Sequence, residues 1–264
     1  MSLQHFYLED QVIADQGENE FELRLLPEDA KHLQVLRMGP GEHIAVVDAA
    51  QDYFECEIVS VTAGIPTVRI AQHLDAGAER PQVLLFQGLA KGDKMETVIR
   101  HATELGVAGF VPLACARSVM KLDPKKAPKK IERWQSIAKS AATQSGQPRI
   151  PEVLSPMTVK QACGALAGAT CVCVCWEEAP QTVNMRQAIE AGLKAWQQEP
   201  ADARIAVVVG PEGGLTSDEV DLLLAANPAA RLVSLGPSIL RTETAGIVAP
   251  ALALYELGGL GGRA

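Results

Sequence analysis

VVVGPEGGLTSDEV, residues 207–220, carries an apolar run ending at Val209 into Gly210, Pro211, Glu212, Gly213 and Gly214, and then into the start of a helix. Thr216 or Ser217 caps that helix, and Thr216 with Glu219 three residues on has capping-box spacing. Glycines let a backbone come close to a ligand, and the free amides of a helix start can donate to it. Taken alone, the cluster is better explained as a tight strand-to-helix turn. It has neither the Lys-Ser/Thr of a Walker A loop nor GxGxxG spacing, which argues against ATP and NAD.

The same design recurs in SLGPSILRTETAGIVA, residues 234–249, where a strand runs into Gly-Pro and a helix follows. Glu243 in the first turn complements the helix dipole, which is a structural explanation for it. Arg241 opposes that dipole and gains nothing there without a partner, so it is marked as a functional residue.

Outward from these loops, the chain alternates short apolar runs with helical segments. VLLFQGL (83–89), GFVPLAC (109–115), TCVCVCW (170–176), RIAVVVG (204–210) and RLVSL (231–235) read as strands. Met95, Val98, Ile99, Ala102 and Leu105 recur at helical spacing before Gly106, and KKAPKKIERWQSIAKSAATQS is a long basic helix. This alternation predicts an α/β domain with a largely parallel sheet, which binds ligands at the carboxyl ends of its strands. Residues 1 to about 72 differ. EFELRLL, HIAVVDA, YFECEIVSV and PTVRIAQ are short strand candidates between turns, with one helix opened by Pro27, a pattern of a small barrel or sandwich. The polar stretch 73–81 marks the boundary, giving domains 1–74 and 75–264.

The net charge of -8 argues at first against nucleic acid, but it is unevenly spread. Residues 91–149 hold twelve basic and five acidic side chains, a local charge of +7 against -15 elsewhere. That is a phosphate-tracking surface or, equally well, a solvated helix face. The six cysteines form neither a CxxC pair nor a zinc-finger spacing, so reduced thiols and no metal are expected. Cys171, Cys173 and Cys175 should share one face of their strand. With no signal peptide and no run of ~18 apolar residues, a cytoplasmic protein without a membrane span is expected.

VGPEGGLTSDE and LGPSILRTETA together resemble the signature of the ribosomal RNA small subunit methyltransferase E family, within the SPOUT superfamily. HLQVLRMGPGE near the front, KGDKMETVIRHATELGV at 91–107, RSVMK at 117–121 and RWQSIAKSAATQSGQ at 133–147 extend the resemblance over nearly the whole chain. It implies a PUA-like β-barrel in front of a SPOUT domain with a C-terminal trefoil knot, a homodimer, and methylation of N3 of a uridine in 16S ribosomal RNA of the small subunit. The cofactor implied is S-adenosyl-L-methionine. By motif, Gly210, Glu212, Gly213 and Gly214 form one cofactor loop, and Leu235, Gly236, Ile239, Leu240, Arg241 and Thr244 the other. Arg241 is expected to stabilise the developing uridine charge, with Glu243 orienting it or acting as base. Arg37, Arg117, Lys121, Lys125, Lys126, Lys129, Lys130, Arg133 and Arg149 are the expected RNA contacts. The chain departs from the family pattern at Ser238, where arginine is usual, and in TQSGQ, where EQSGR is usual; Arg149 lies near enough to supply the missing cation.

Three alternatives stay open on the residues alone: a SPOUT enzyme acting on another RNA, a non-catalytic RNA-binding protein of the same fold, and an α/β enzyme that binds a phosphorylated ligand.

Overall fold

The computed structural model describes residues 3–14, 19–74, 81–123, 125–179 and 182–260. The chain forms two compact units, residues 1–78 with 142–149, and residues 79–141 with 150–264.

In the first unit, β1 (Gln4–Tyr7), β2 (Phe21–Glu22), β3 (His43–Val47), β4 (Tyr53–Thr62) and β5 (Ile65–Leu74) make one sheet in the order β1-β3-β4-β5-β2, and α1 spans Pro27–Val35. Only β1 and β3 run parallel. Among the described residues, β1 and β2 end this order without pairing to each other. Phe6, Leu23, Leu33, Ile44 and Ile58 are fully buried in its core. EFELRLL proves to be strand only over Phe21–Glu22; residues 23–26 run without regular structure to α1, whose first residue is Pro27. That helix ends at Val35, and Arg37 just beyond it takes a left-handed φ of 56°. Residues 142–149 join this unit through Tyr7, whose hydroxyl donates to the Gln147 carbonyl oxygen at 2.5 Å.

In the second unit, β6 (Gln82–Gly88), β7 (Gly109–Ala114), β8 (Glu152–Val153), β9 (Met157–Thr158), β10 (Cys171–Cys175), β11 (Arg204–Val209) and β12 (Ala230–Val233) form a parallel sheet ordered β12-β10-β11-β6-β7-β8, with β9 also on β7. The expected α/β architecture with a parallel sheet is what the chain adopts. Its helices are α2 (Lys94–Leu105), α3 (Ala127–Ser145), α4 (Val159–Leu166), α5 (Met185–Trp196), α6 (Ser217–Ala225) and α7 (Thr242–Glu256). The last turn of α3 counts with the first unit.

Both faces of the sheet are buried. Val83, Leu85, Val207 and Val209 face a core with Met95, Ile99, Trp134, Ile189 and Ala249 of α2, α3, α5 and α7. Phe86, Val111, Val172, Val174 and Val208 face Ala162 of α4 and Val220 and Leu223 of α6. Cys171 and Cys173 lie on the first face and Val172 and Val174 on the other, the alternation a strand requires. Their sulfurs are 3.7 Å apart, and Cys171 also donates to the Ala188 and Ala229 carbonyls, so these thiols are packing elements of the core. Among the described residues, no group of His, Cys, Asp or Glu is placed to hold a metal ion, and no helix is long and apolar enough to cross a membrane.

Candidate functional site

The central strands end in register. Cys175 pairs with Val209 and Val233, and Val209 pairs with Gln87. The loops leaving this level enclose a cavity of about 510 Å³, within the ~300–1,000 Å³ usual for small-molecule sites. Gly210, Glu212, Gly214, Leu235, Gly236, Ile239, Leu240 and Arg241 all border it. Two loops chosen from sequence thus share one pocket. Of the other residues expected there, Gly213 and Thr244 lie outside its lining. A Cβ on Gly213 would come within 2.8 Å of the Arg117 backbone, so this glycine serves a close chain crossing.

Local chemistry fixes the first loop. Thr216 caps α6, its hydroxyl accepting from the Glu219 amide at 3.3 Å, while Glu219 Oε2 accepts from the Thr216 amide at 3.0 Å. Gly214, at φ +72°, makes the turn that a side chain would strain. Arg117 donates to the Gly213 and Leu215 carbonyls at 3.3 and 3.4 Å and pairs with Glu178 at 3.3 Å. Expected as an RNA contact, Arg117 is exposed and also supports this loop.

Gln87 and Thr242 join the second loop to the first. Gln87, 1% exposed, donates from Nε2 to Thr242 Oγ1 at 2.8 Å, and Thr242 donates to the Gly210 carbonyl at 2.6 Å. Gly246 leaves room for this amide, since a Cβ there would stand 2.3 Å from Gln87 Oε1.

Arg241 is the residue before α7's first turn, exposed and on the cavity wall. Glu243 and Glu212 meet on Lys94, whose ammonium is 3.1 Å from Glu243 Oε2 and 3.3 Å from Glu212 Oε1. Burial works against ionising Glu243. Its own backbone amide, Lys94 and then Arg241 outweigh that and hold its carboxyl below the ordinary range. Glu212 is held low in the same way, against burial, by its own amide, the Lys91 amide and Lys94. Pairing with Glu243 first, then Glu212, raises Lys94. Sequence reading missed Lys94, although a cation at the first position of a helix is the same anomaly that singled out Arg241.

The expected RNA contacts divide. Lys121, Lys125, Lys126 and Lys129 are exposed. Lys130 and Arg133 pair with Glu96 of α2 at 3.5 and 2.7 Å, and Lys130 also sits 5.7 Å from the Trp134 ring centre, so both tie α3 to α2. Arg37 and Arg149 belong to the first unit, each exposed.

The pocket suits a small ligand with both apolar and polar parts, such as an adenosyl sulfonium. Val209, Val233, Leu235, Ile239 and Leu240 give it apolar walls, while glycines expose backbone donors and acceptors at its edge.

Comparison with known proteins agrees. A family model described as an RNA methyltransferase domain matches residues 78–254. The ribosomal RNA small subunit methyltransferase E of Bacillus subtilis (strain 168) is 37% identical over 235 residues, covering 87% of this chain and 88% of that protein. A Legionella pneumophila structure described as a methyltransferase with bound SAM superposes with a TM-score of 0.75 at 29% identity, covering 97% of this chain and 98% of that one. The ribosomal RNA small subunit methyltransferase E of Neisseria gonorrhoeae, bound to S-adenosyl methionine, superposes with a TM-score of 0.74 at 25% identity, covering 96% and 97%. With its two glycine loops closing one cavity and this likeness along most of its length, the chain belongs to the ribosomal RNA small subunit methyltransferase E family.

Proposed function

We propose that this protein is an S-adenosylmethionine-dependent methyltransferase that modifies N3 of a uridine in 16S ribosomal RNA of the small subunit. The observation that carries it is the single cavity formed by GPEGG and LGPSILR at the carboxyl ends of β10, β11 and β12. The names of the relatives and the cofactor bound in the two solved neighbours support the substrate class and the methyl donor.

When bound, the cofactor supplies a methyl group on a sulfonium, activated for in-line displacement. The chain's part is then positioning. Gly210, Gly214, Leu235, Gly236 and Leu240 shape the cofactor's seat. Arg241 favours the N3-deprotonated uracil and stabilises its charge. Glu243 is a poor base, because its carboxyl is held low; its work is to orient Arg241, and the N3 proton leaves to solvent. Exposed Lys121, Lys125, Lys126 and Lys129 take RNA phosphates, with Arg37 and Arg149 contributing from the first unit.

The same reading takes residues 1–74 as a PUA-like barrel for RNA docking and 75–264 as the SPOUT domain, with 142–149 of the latter span grouped with the first unit. Its trefoil knot is supported by the path after β12, which leaves the sheet edge and is pinned by Thr242 to Gly210 and Gln87 near the middle strands. A homodimer is supported by Leu252 and Tyr255, apolar surface left exposed on α7. Acting on ribosomal RNA implies the cytoplasm.

Calorimetry tests the ligand class. The protein should bind S-adenosylhomocysteine and neither ATP nor NAD; binding of ATP or NAD in its place would move it to another enzyme class.

A further inference from the structure

Lys94 lies outside both glycine loops, yet they meet on it. It is the first residue of α2, while Glu212 comes from the turn after β11 and Glu243 from the first turn of α7. All three side chains are about four-fifths buried, with exposures of 23%, 19% and 21%. The Lys91 amide also donates to Glu212 Oε1 at 3.0 Å, so the start of α2 holds this carboxylate twice.

Three observations separate this cluster from ordinary packing. A cation at the first position of a helix opposes the helix dipole, a cost that the two carboxylates offset. α2 and α7 already pack closely without it, since a Cβ on Gly246 would stand 3.1 Å from Val98. Lys94 also borders the cavity. It is badly placed to hold a phosphate or other anion, because two carboxylates flank it.

We propose that Lys94 is a positioning residue of the methyl-transfer site: by pairing with Glu212 and Glu243 at once, it clamps the GPEGG loop to the helix start that carries Arg241. Without the ammonium, the two carboxylates repel, and the loops lose their common anchor. The clamp acts through those loops and touches neither methyl group nor uracil. It rests on the cavity being the S-adenosylmethionine site.

The test compares Lys94→Met, which keeps length and removes charge, with Lys94→Arg, which keeps charge. Calorimetry with S-adenosylhomocysteine, single-turnover methylation at saturating cofactor and thermal unfolding are read together. Lys94→Met should weaken cofactor binding about tenfold, the scale of one broken coupling between sites, and slow single turnover even at saturation. Lys94→Arg should recover most of both. Glu212→Gln added to Lys94→Met should cost nothing further and recover part of the loss, because it removes the repulsion between the two carboxylates. Wild-type binding by Lys94→Met overturns the clamp. So does a Lys94→Arg variant as impaired as Lys94→Met, with losses that follow unfolding temperature. If Lys94→Met does not fold, Lys94→Gln takes its place with the same outcomes. An unaltered protein that binds no S-adenosylhomocysteine refutes the cofactor reading itself; normal binding by both wild type and variants refutes only the clamp.

Discussion

The Thr242 hydroxyl donates to the Gly210 carbonyl oxygen at 2.6 Å, joining the first residue of α7 to the first residue of the GPEGG turn. Because the same hydroxyl accepts from Gln87 Nε2 at 2.8 Å, the three groups form a directed chain in which each proton has one acceptor. That chain sets how far apart the two glycine loops stand. It is buried, so breaking it strands polar groups without water to replace the partner.

Thr242→Val should therefore destabilise the protein by ~1–3 kcal/mol, the cost of leaving buried partners unsatisfied. It should also weaken S-adenosylhomocysteine binding, while Thr242→Ser restores most of both. Denaturant unfolding and calorimetry measure the pair. Unchanged values for Thr242→Val would mean that the loops are held by other interactions.

Gly88→Ala probes the same crossing from the β6 side. The added methyl would lie 2.3 Å from the Pro211 nitrogen and 2.6 Å from the Gly210 carbonyl carbon, both backbone atoms that cannot rotate away. Overpacking of this kind costs ~1–3 kcal/mol, and here the displaced segment is a wall of the cavity. Cofactor affinity should fall sharply as the loop shifts. Binding at wild-type strength would show that the loop tolerates displacement.

Salt dependence of RNA binding distinguishes the two kinds of basic residue on and before α3. Replacing Lys125, Lys126 and Lys129 together by Gln should lower the slope of log affinity against log salt by ~2 to 3, since each phosphate that a lysine neutralises adds ~0.7–0.9 to it. Arg133→Gln should leave the slope nearly unchanged and lower stability instead, since its guanidinium is 2.7 Å from Glu96. Equal slope changes for both variants would contradict this division.

Acid unfolding reports on Glu96. Its pairing, chiefly with Arg133, holds the carboxyl below the ordinary range although burial pushes it up. A carboxylate lowered in the folded state contributes stability that is full above its unfolded value and is lost as pH falls through the folded value. Arg133→Gln raises the folded value, so the acid limb of stability should move to higher pH. Acid limbs that coincide for wild type and variant would show that the pair does not govern it.

The parallel sheet was legible because β6, β7, β10 and β11 are largely buried on both faces and read as apolar runs. β1 escaped notice: QHFY is four residues with no periodicity of its own, and it becomes a strand by pairing with β3. EFELRLL has strand composition, but only Phe21–Glu22 pair in the sheet, and residues 23–26 run without regular structure to the helix start at Pro27. The two loops that border the cavity were readable through their glycines, whose backbone freedom leaves a mark in sequence. Gln87 left no such mark, because its role comes from a partner brought to it only by the fold. Thr242 lies 155 residues beyond Gln87. The return of residues 142–149 to the first unit was hidden for the same reason, since Tyr7 meets Gln147 only once both are folded.

The central claim is a methyl group placed on one uridine of small-subunit RNA. The direct measurement maps methylated nucleotides in that RNA from cells with the gene, cells without it, and cells carrying Arg241→Ala. One N3-methyluridine should be present in the first and absent from the other two. Its persistence without the gene, or loss of a methyl group from a different atom or a different RNA, would contradict the account.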